Sequence, residues 1–441
     1  MQSAIRLTSR VPLYVAVGLL ILQIFSPAPP IMFVLVTIVG VTLLAYLWAR
    51  QLGQRIALER ERRYGWAQVG DVLEERFTLH NDAWVPLLWA EIRDHSDLPG
   101  YNASRAIGVG ANTSTRWTTS GTCQRRGVYT LGPIQSTTGD PFGLFEVSID
   151  HPYTETVVVF PPIAALPQLI EPHGRVRGTA RANVRSLDFT TNASSVREYV
   201  PGDALSRIHW RTTARRSMPD REERFFVKEF DREPSGDLWL VLDMHQAVHA
   251  GQDLESTEEY AVLIAASLAN EMLRTNHAVG LMTHAEQPIV IPPQKGPQAL
   301  WELLRVLAGI HATAQAPLAH MLQLMEPMMG RGISAAIITP SADPEWIGNL
   351  TLLLRHGTHS TAILLDGRTF GGEGDMQGVM GALADLGVSG HIIGKDFRFQ
   401  TISQDRHQRP EYRVLGTGRV VVVKPGETGE WVAMGQKEGS A

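Results

Sequence analysis

"DLWLVLDM", residues 237–244, is an apolar run closed by an aspartate. It shows no alternation of polar and apolar residues. A strand of that kind is buried on both faces, as in a parallel sheet covered by helices. The sequence after it agrees. "STEEYAVLIAASLANEMLRTN" (256–276) reads as a helix with Glu258 and Glu259 in its first turn and Arg274 near its end, where the helix dipole favours them. "HAVGLMTH" (277–284), "ISAAIITP" (333–340), "STAILLD" (360–366) and "SGHIIG" (389–394) read as further apolar strands. The stretches 296–311, 317–328 and 344–357 have helical periodicity. This alternation predicts an α/β domain over 236–400, followed by a C-terminal strand and tail over 401–441.

Residues 65–165 have a different rhythm. "DVLEERFTLHN" alternates and ends at Asn81-Asp82, and further short strands follow between turns such as Pro99-Gly100, Arg126-Gly127 and Gly139-Asp140-Pro141. Strands at that spacing, with no helix-length run among them, predict an antiparallel β-sandwich. The proline-rich and polar stretch that follows makes 166–235 a linker. Arg175, Arg177, Arg181 and Arg185 make part of it basic.

The N-terminal region, 1–64, is the most apolar part of the chain. "VPLYVAVGLLILQIF" (11–25) and "IMFVLVTIVGVTLLAYLW" (31–48) contain no charge and are joined by "SPAPP". They predict a transmembrane helical hairpin, the first arm being short for a span. A secretory leader over 1–28 is the competing reading. Arg6 and Arg10 precede the pair, and Arg50, Arg55, Arg60, Arg62 and Arg63 follow it. The positive-inside rule then puts both ends, and the bulk of the chain, on the cytoplasmic side of the membrane. Tyr46 and Trp48 fall at the interface. "RQLGQRIALERERR" (50–63) reads as a short charged helix, its arginines near anionic headgroups or simply solvated.

The 441 residues carry a formal net charge of −5, which does not point to nucleic acid. Cys123 is the only cysteine, so cysteine-rich zinc sites and redox pairs are excluded. Gly394-Lys395-Asp396 lacks the spacing of a phosphate-binding loop. No cofactor is expected.

One motif remains: "REYVPGDALSRIHWRTTARR", 197–216. Pro201-Gly202-Asp203 makes a turn, and Asp203 is placed to cap a helix from Ala204 and to pair with Arg207. Tyr199 anchors the approach. Trp210 is large enough to bury against a neighbouring domain. Arg211, Ala214, Arg215 and Arg216 complete the stretch, with Arg197 at its start. A structural clasp is the preferred reading. A docking face for an acidic protein and a phosphate site are the alternatives.

With "RRGVYTLGPI" (125–134) and "GDPFGLFE" (139–146) upstream, the Arg-x-Tyr-x-x-Gly-Asp, Ile-x-Trp and Ala-Arg elements of this motif resemble the family called domain of unknown function 58. The resemblance implies a C-terminal unit similar to von Willebrand factor A domains. It also implies a MoxR-type AAA+ ATPase as partner, and in some members a membrane transglutaminase-like protein. It supplies no catalytic residue. Domains of the von Willebrand type hold Mg²⁺ through an Asp-x-Ser-x-Ser motif. Here that position reads Asp243, His245, Ala247, and the strand at 333–340 ends in Thr339, with Asp343 nearby. The hydroxyl ligands are replaced, so a degenerate metal site is expected.

The leading expectation is a membrane-tethered, non-enzymatic adaptor or scaffold for protein assembly or envelope homeostasis. The alternative is a metal-dependent enzyme using Asp243, His245 and His249, with Asp253 as a further ligand and the two histidines on one helical face. A purely structural envelope protein is the third reading.

Overall fold

The computed structural model describes residues 2–62, 65–166, 193–199, 208–216, 225–230, 237–329, 333–401, 411–414, 420–424 and 432–433. The chain forms two compact units: residues 1–165 with 304–310 and 400–441, and residues 166–303 with 311–399.

The first unit opens with β1 (Gln2–Leu7), α1 (Val11–Phe25) and α2 (Pro29–Arg55). Then come β2 (Ile56–Arg62), β3 (Trp66–Gln68), β4 (Val72–Asn81), β5 (Leu87–Asp94), β6 (Arg105–Val109), β7 (Thr113–Thr122), β8 (Gly127–Leu131), β9 (Ile134–Gly139), β10 (Phe145–His151), β11 (Glu155–Phe160) and β12 (Ala164–Ala165). One sheet runs β1-β10-β9-β5-β6. In a second, β4 lies between β2 and β7. In a third, β11 lies between β3 and β8; its pairing with β3 is parallel, a departure from the purely antiparallel expectation.

β4 shows why these residues make a sheet face. Leu73, Glu75, Phe77, Leu79 and Asn81 point inward and are buried, every second residue as the pleat demands. Phe77 stacks on Trp117 at 5.4 Å. Asn81 sits inward at the strand end because its amide donates to the Val85 and Gly110 carbonyls, which ties two loops together.

α1 and α2 lie side by side, joined by Ser26–Ala28. Proline at the start of each suits the first helical turn. α2 is long and apolar enough to cross a membrane; α1 is shorter. No residue of α1 is buried. From Ala45 onward α2 buries Ala45, Ala49 and Leu52 on one face, and Tyr46 meets Phe145 edge-on at 5.7 Å.

The charged helix expected over 50–63 is not there. α2 runs on to Arg55, and Ile56–Arg62 is a strand in register with β4. Arg60 takes an inward phase and is buried against Glu75, while Arg62 pairs with Glu155 at 2.8 Å. These two arginines therefore face protein rather than headgroups. β1 was also not foreseen; it pairs along its whole length with β10.

His151 ends β10 in the interior, its Nε2 3.2 Å from Ser136 Oγ. Burial pulls its pKa from 6.5 to about 4. The unfolded chain therefore binds this proton first, and sandwich stability falls as pH drops from 6.5 towards 4. His151→Phe is expected to remove one proton's worth of that slope in urea melts followed across this range. An unchanged slope refutes the assignment.

The second unit holds β13 (Ala193–Glu198), α3 (Trp210–Arg216), β14 (Phe226–Phe230), β15 (Leu238–Leu242), the small hairpin β16 (Gly251–Gln252) and β17 (Glu255–Ser256), and α4 (Thr257–Arg274). β18 (Val279–His284) and β19 (Pro288–Gln294) follow. After α5 (Pro297–Gly309) come α6 (Leu318–Met325), β20 (Ser334–Thr339), α7 (Glu345–Arg355), β21 (His359–Leu365), α8 (Met376–Asp385) and β22 (Ser389–Ile393). The sheet order is β19-β18-β15-β20-β21-β22, parallel except for the edge strand β19. All five residues of β15 are buried, as its unbroken apolar run requires. Ser256 caps α4 by accepting the Glu259 N–H. Trp346 of α7 lies in the core among Met321, Leu350 and Leu364.

Among the described residues, four short strands follow: β23 (Gln400–Thr401) on β12, β24 (Glu411–Val414) paired with β25 (Val420–Lys424), and β26 (Val432–Ala433) on β2.

Candidate functional site

Ligand sites of open parallel sheets lie at the carboxyl ends of the strands. Asp243 follows β15 there, and Thr339 ends β20 beside it. Asp243 is 2% exposed. Its Oδ2 accepts from Thr339 Oγ1 at 2.6 Å, and its Oδ1 accepts from the His245 N–H at 3.0 Å. Thr339 Oγ1 in turn accepts the Ser341 N–H at 2.9 Å. Burial raises the Asp243 pKa, and the two hydrogen bonds oppose it without cancelling it.

His249 is held by both ring nitrogens. Nε2 lies 2.9 Å from the Asp243 carbonyl and Nδ1 lies 3.0 Å from Thr257 Oγ1. The compatible tautomer has Nε2–H donating to the carbonyl and Nδ1 accepting from the hydroxyl. Burial is the main cause of its lowered pKa, against the opposing charge of Asp243. His249 thus latches the end of β15 to the start of α4. Thr257 Oγ1 also accepts the Ala250 N–H at 2.9 Å.

The helical face that the metal-dependent alternative needs for His245 and His249 does not form. Only Gln246–Val248 makes a single 3₁₀ turn, flanked by extended residues on both sides, because Gly251 starts a hairpin. Asp253 sits in that hairpin's turn with φ of 53°. Ala247 is exposed, and Asp343 is exposed and accepts the Glu345 N–H. Among the described residues no three His, Cys, Asp or Glu side chains come together in a way that could hold a metal ion. Sequence reading foresaw Asp243 and Thr339 but missed Thr257 and Ser341. Thr257 was hidden in a capping sequence, where its neighbour Ser256 is the cap.

The motif at 197–216 is partly described. Arg197 lies in β13, in register with Val227. Tyr199 donates its N–H to the Phe225 carbonyl at 2.8 Å, and its ring meets Phe225 edge-on at 6.3 Å. Trp210 meets the same ring edge-on at 6.4 Å. The described helix begins at Trp210, where His209 Nδ1 accepts the Thr212 N–H. Gly202, Asp203 and Arg207, with the helix expected from Ala204 under an Asp203 cap, lie outside the described residues. α3 buries Thr213, which accepts the Phe226 N–H at 3.1 Å, and exposes Arg211, Ala214 and Arg215. Trp210 is 64% exposed. α3 turns Thr213 inward and leaves the indole on its outer face.

Residues 195–362, from β13 through β21, match the model of the family described as "Protein of unknown function DUF58". This segment belongs to that family. The DUF58 match takes in both the aromatic motif and the Asp243 edge. The chain is also similar to an uncharacterized protein, YeaD, of Bacillus subtilis, 27% identical over 194 residues. That match covers 44% of this chain and 45% of the relative, so less than half the relative's length is spanned. Among solved structures, a von Willebrand factor type A protein from Catenulispora acidiphila covers 38% of the chain at 10% identity, with a TM-score of 0.26 and 40% of its own length matched. The CARDB domain of the PF1109 protein from Pyrococcus furiosus covers 24% at 13% identity, with a TM-score of 0.18 and 94% of its own length matched. The architecture of the DUF58 segment is given by its own strand order.

Proposed function

We propose that the protein is a membrane-tethered, non-enzymatic adaptor, with its folded units on the cytoplasmic side and a MoxR-type AAA+ ATPase as partner. One observation carries the tether. β1 and β2, on either side of the apolar helices, both belong to the same β unit. The helices are thereby part of the folded body, and a cleaved leader would take a full sheet strand with it. The arginines flanking both helices favour the cytoplasmic face. Trp210, Arg211 and Arg215, exposed together on α3, form an aromatic and basic face of the composition found at binding hot spots. That face favours docking over the structural clasp.

Two measurements test this. Protease added outside intact spheroplasts should leave the bulk of the chain uncut; digestion of the bulk refutes the topology. The detergent-solubilised protein should bring down an AAA+ ATPase from its own host. The combined variant Trp210→Ala, Arg215→Ala is expected to lower that recovery about tenfold without shifting the melting temperature. Equal recovery removes α3 from the interface, and failure to recover any ATPase refutes the partnership.

A further inference from the structure

The tether has a depth that can be read from its parts. α1 rises about 22 Å over Val11–Phe25, and the stretch of α2 above its docked portion, Pro29–Leu44, rises about 24 Å, at 1.5 Å per residue. The two arms are matched, and both fall short of a hydrocarbon core of about 30 Å.

The turn between them is built for the absence of water. Pro27, Pro29 and Pro30 have no N–H to satisfy. The Ser26 N–H donates to the Leu22 carbonyl at 2.8 Å. The Ala28 N–H donates to the side-chain oxygen of Gln23 at 3.4 Å, and the Ile31 and Met32 N–H groups donate to the Ala28 carbonyl. Every backbone donor from Ser26 to Met32 that lacks an ordinary helical partner is thus either paired or absent. A turn in water can leave backbone donors to solvent; lipid permits no unpaired donors. Within α2, the Thr37 and Thr42 hydroxyls donate to the Phe33 and Ile38 carbonyls, both at 2.8 Å.

The base of the arms carries a second signal. The β9–β10 loop lies beside the entry to α1, since the Thr8 N–H donates to the Leu144 carbonyl at 2.8 Å. Phe142 at its tip is 57% exposed. Trp89 flanks the same end of the sheet, its carbonyl accepting from Thr138 Oγ1 at 2.6 Å, and its ring is exposed, as is Leu88. Aromatic residues so placed belong at the headgroup level.

We propose that the helical pair is a one-sided membrane wedge. The turn Ser26–Pro30 stays inside the hydrocarbon, and Leu88, Trp89 and Phe142 rest in the near headgroup layer. With the rim at that level, the turn stops short of the far headgroups. This rests on the tether reading above.

Cys123 is fully buried, so the unaltered chain supplies a silent background for cysteine labelling. Full-length Ser26→Cys protein, in right-side-out and inverted membrane vesicles, is treated with a membrane-impermeant maleimide, and the face carrying the body is located by protease. The expected result is no labelling in either orientation and full labelling after detergent. Labelling only from the face opposite the body overturns the wedge and leaves the tether standing. Labelling from the body's own face overturns both. A nitroxide at Phe142→Cys, in vesicles of phosphatidylethanolamine and phosphatidylglycerol, should be shielded from an aqueous nickel chelate relative to the same protein in detergent. Equal accessibility removes the rim from the proposal.

Discussion

Glu75→Ala is expected to cost the β unit about 3–5 kcal/mol, because it strands a buried guanidinium. Arg60 is 7% exposed and Glu75 fully buried. Arg60 Nε lies 3.1 Å from each carboxylate oxygen, and Nη2 lies 2.6 Å from Oε2. Asp94 stands 3.6 Å from Nη1, and the Tyr101 hydroxyl donates to the Glu75 carboxylate. Burial on its own would lower the Arg60 pKa; the hydrogen bond and charge of Glu75 outweigh it and leave the pKa raised. Tyr101 is raised as well, first by burial and then by Glu75. The cluster therefore holds one cation and its carboxylates in an apolar core, and each group is tolerable only with the others. Urea unfolding of the detergent-solubilised chain, followed by tryptophan fluorescence, measures the loss. The double variant Arg60→Met, Glu75→Leu should recover part of it, since packed apolar residues can replace a buried pair while Tyr101 and Asp94 lose their partners. A Glu75→Ala loss below about 1 kcal/mol, the range of an exposed pair, refutes the account.

Asp243→Ala is expected to destabilise the α/β unit by about 2–3 kcal/mol, because the Thr339 hydroxyl and the His245 N–H lose their buried acceptor. Asp243→Asn keeps an acceptor for the N–H and a partner for the hydroxyl, so its cost should stay under about 1 kcal/mol. The signs of the pH dependence are opposite for the two neighbours. Asp243 has a raised folded pKa, so its contribution is present below 3.8 and lost as pH rises through the folded value. His249 has a lowered folded pKa, so its contribution is present above 6.5 and lost as pH falls towards the folded value. Asp243→Asn should flatten the first limb and His249→Gln the second, in melting temperatures taken across pH. Equal losses in the alanine and asparagine variants would show that the hydrogen bonds described do not carry the stability.

The α/β unit was readable because its strands are apolar without interruption, which only a doubly covered sheet accommodates. The alternation of β4 was equally plain. β2 was not. Its residues are good helix formers, and its inward phase, Ile56, Leu58, Arg60, includes a charge that makes sense only when Glu75 of the facing strand is known. β1 is too short and unpunctuated to signal a strand without its partner. At the site, Asp243 and Thr339 were visible as strand ends. The His249–Thr257 contact was not, because a small hairpin whose turn needs Asp253 at positive φ intervenes. Trp210 illustrates a different limit: size favours burial, but the helix phase set by Thr213 decides which way the indole points.

The pairing of Gln2–Leu7 with Phe145–His151 also sets an order of events during synthesis. The apolar helices leave the ribosome long before the strand that completes that pairing exists. Both apolar helices are therefore complete before that sheet can close.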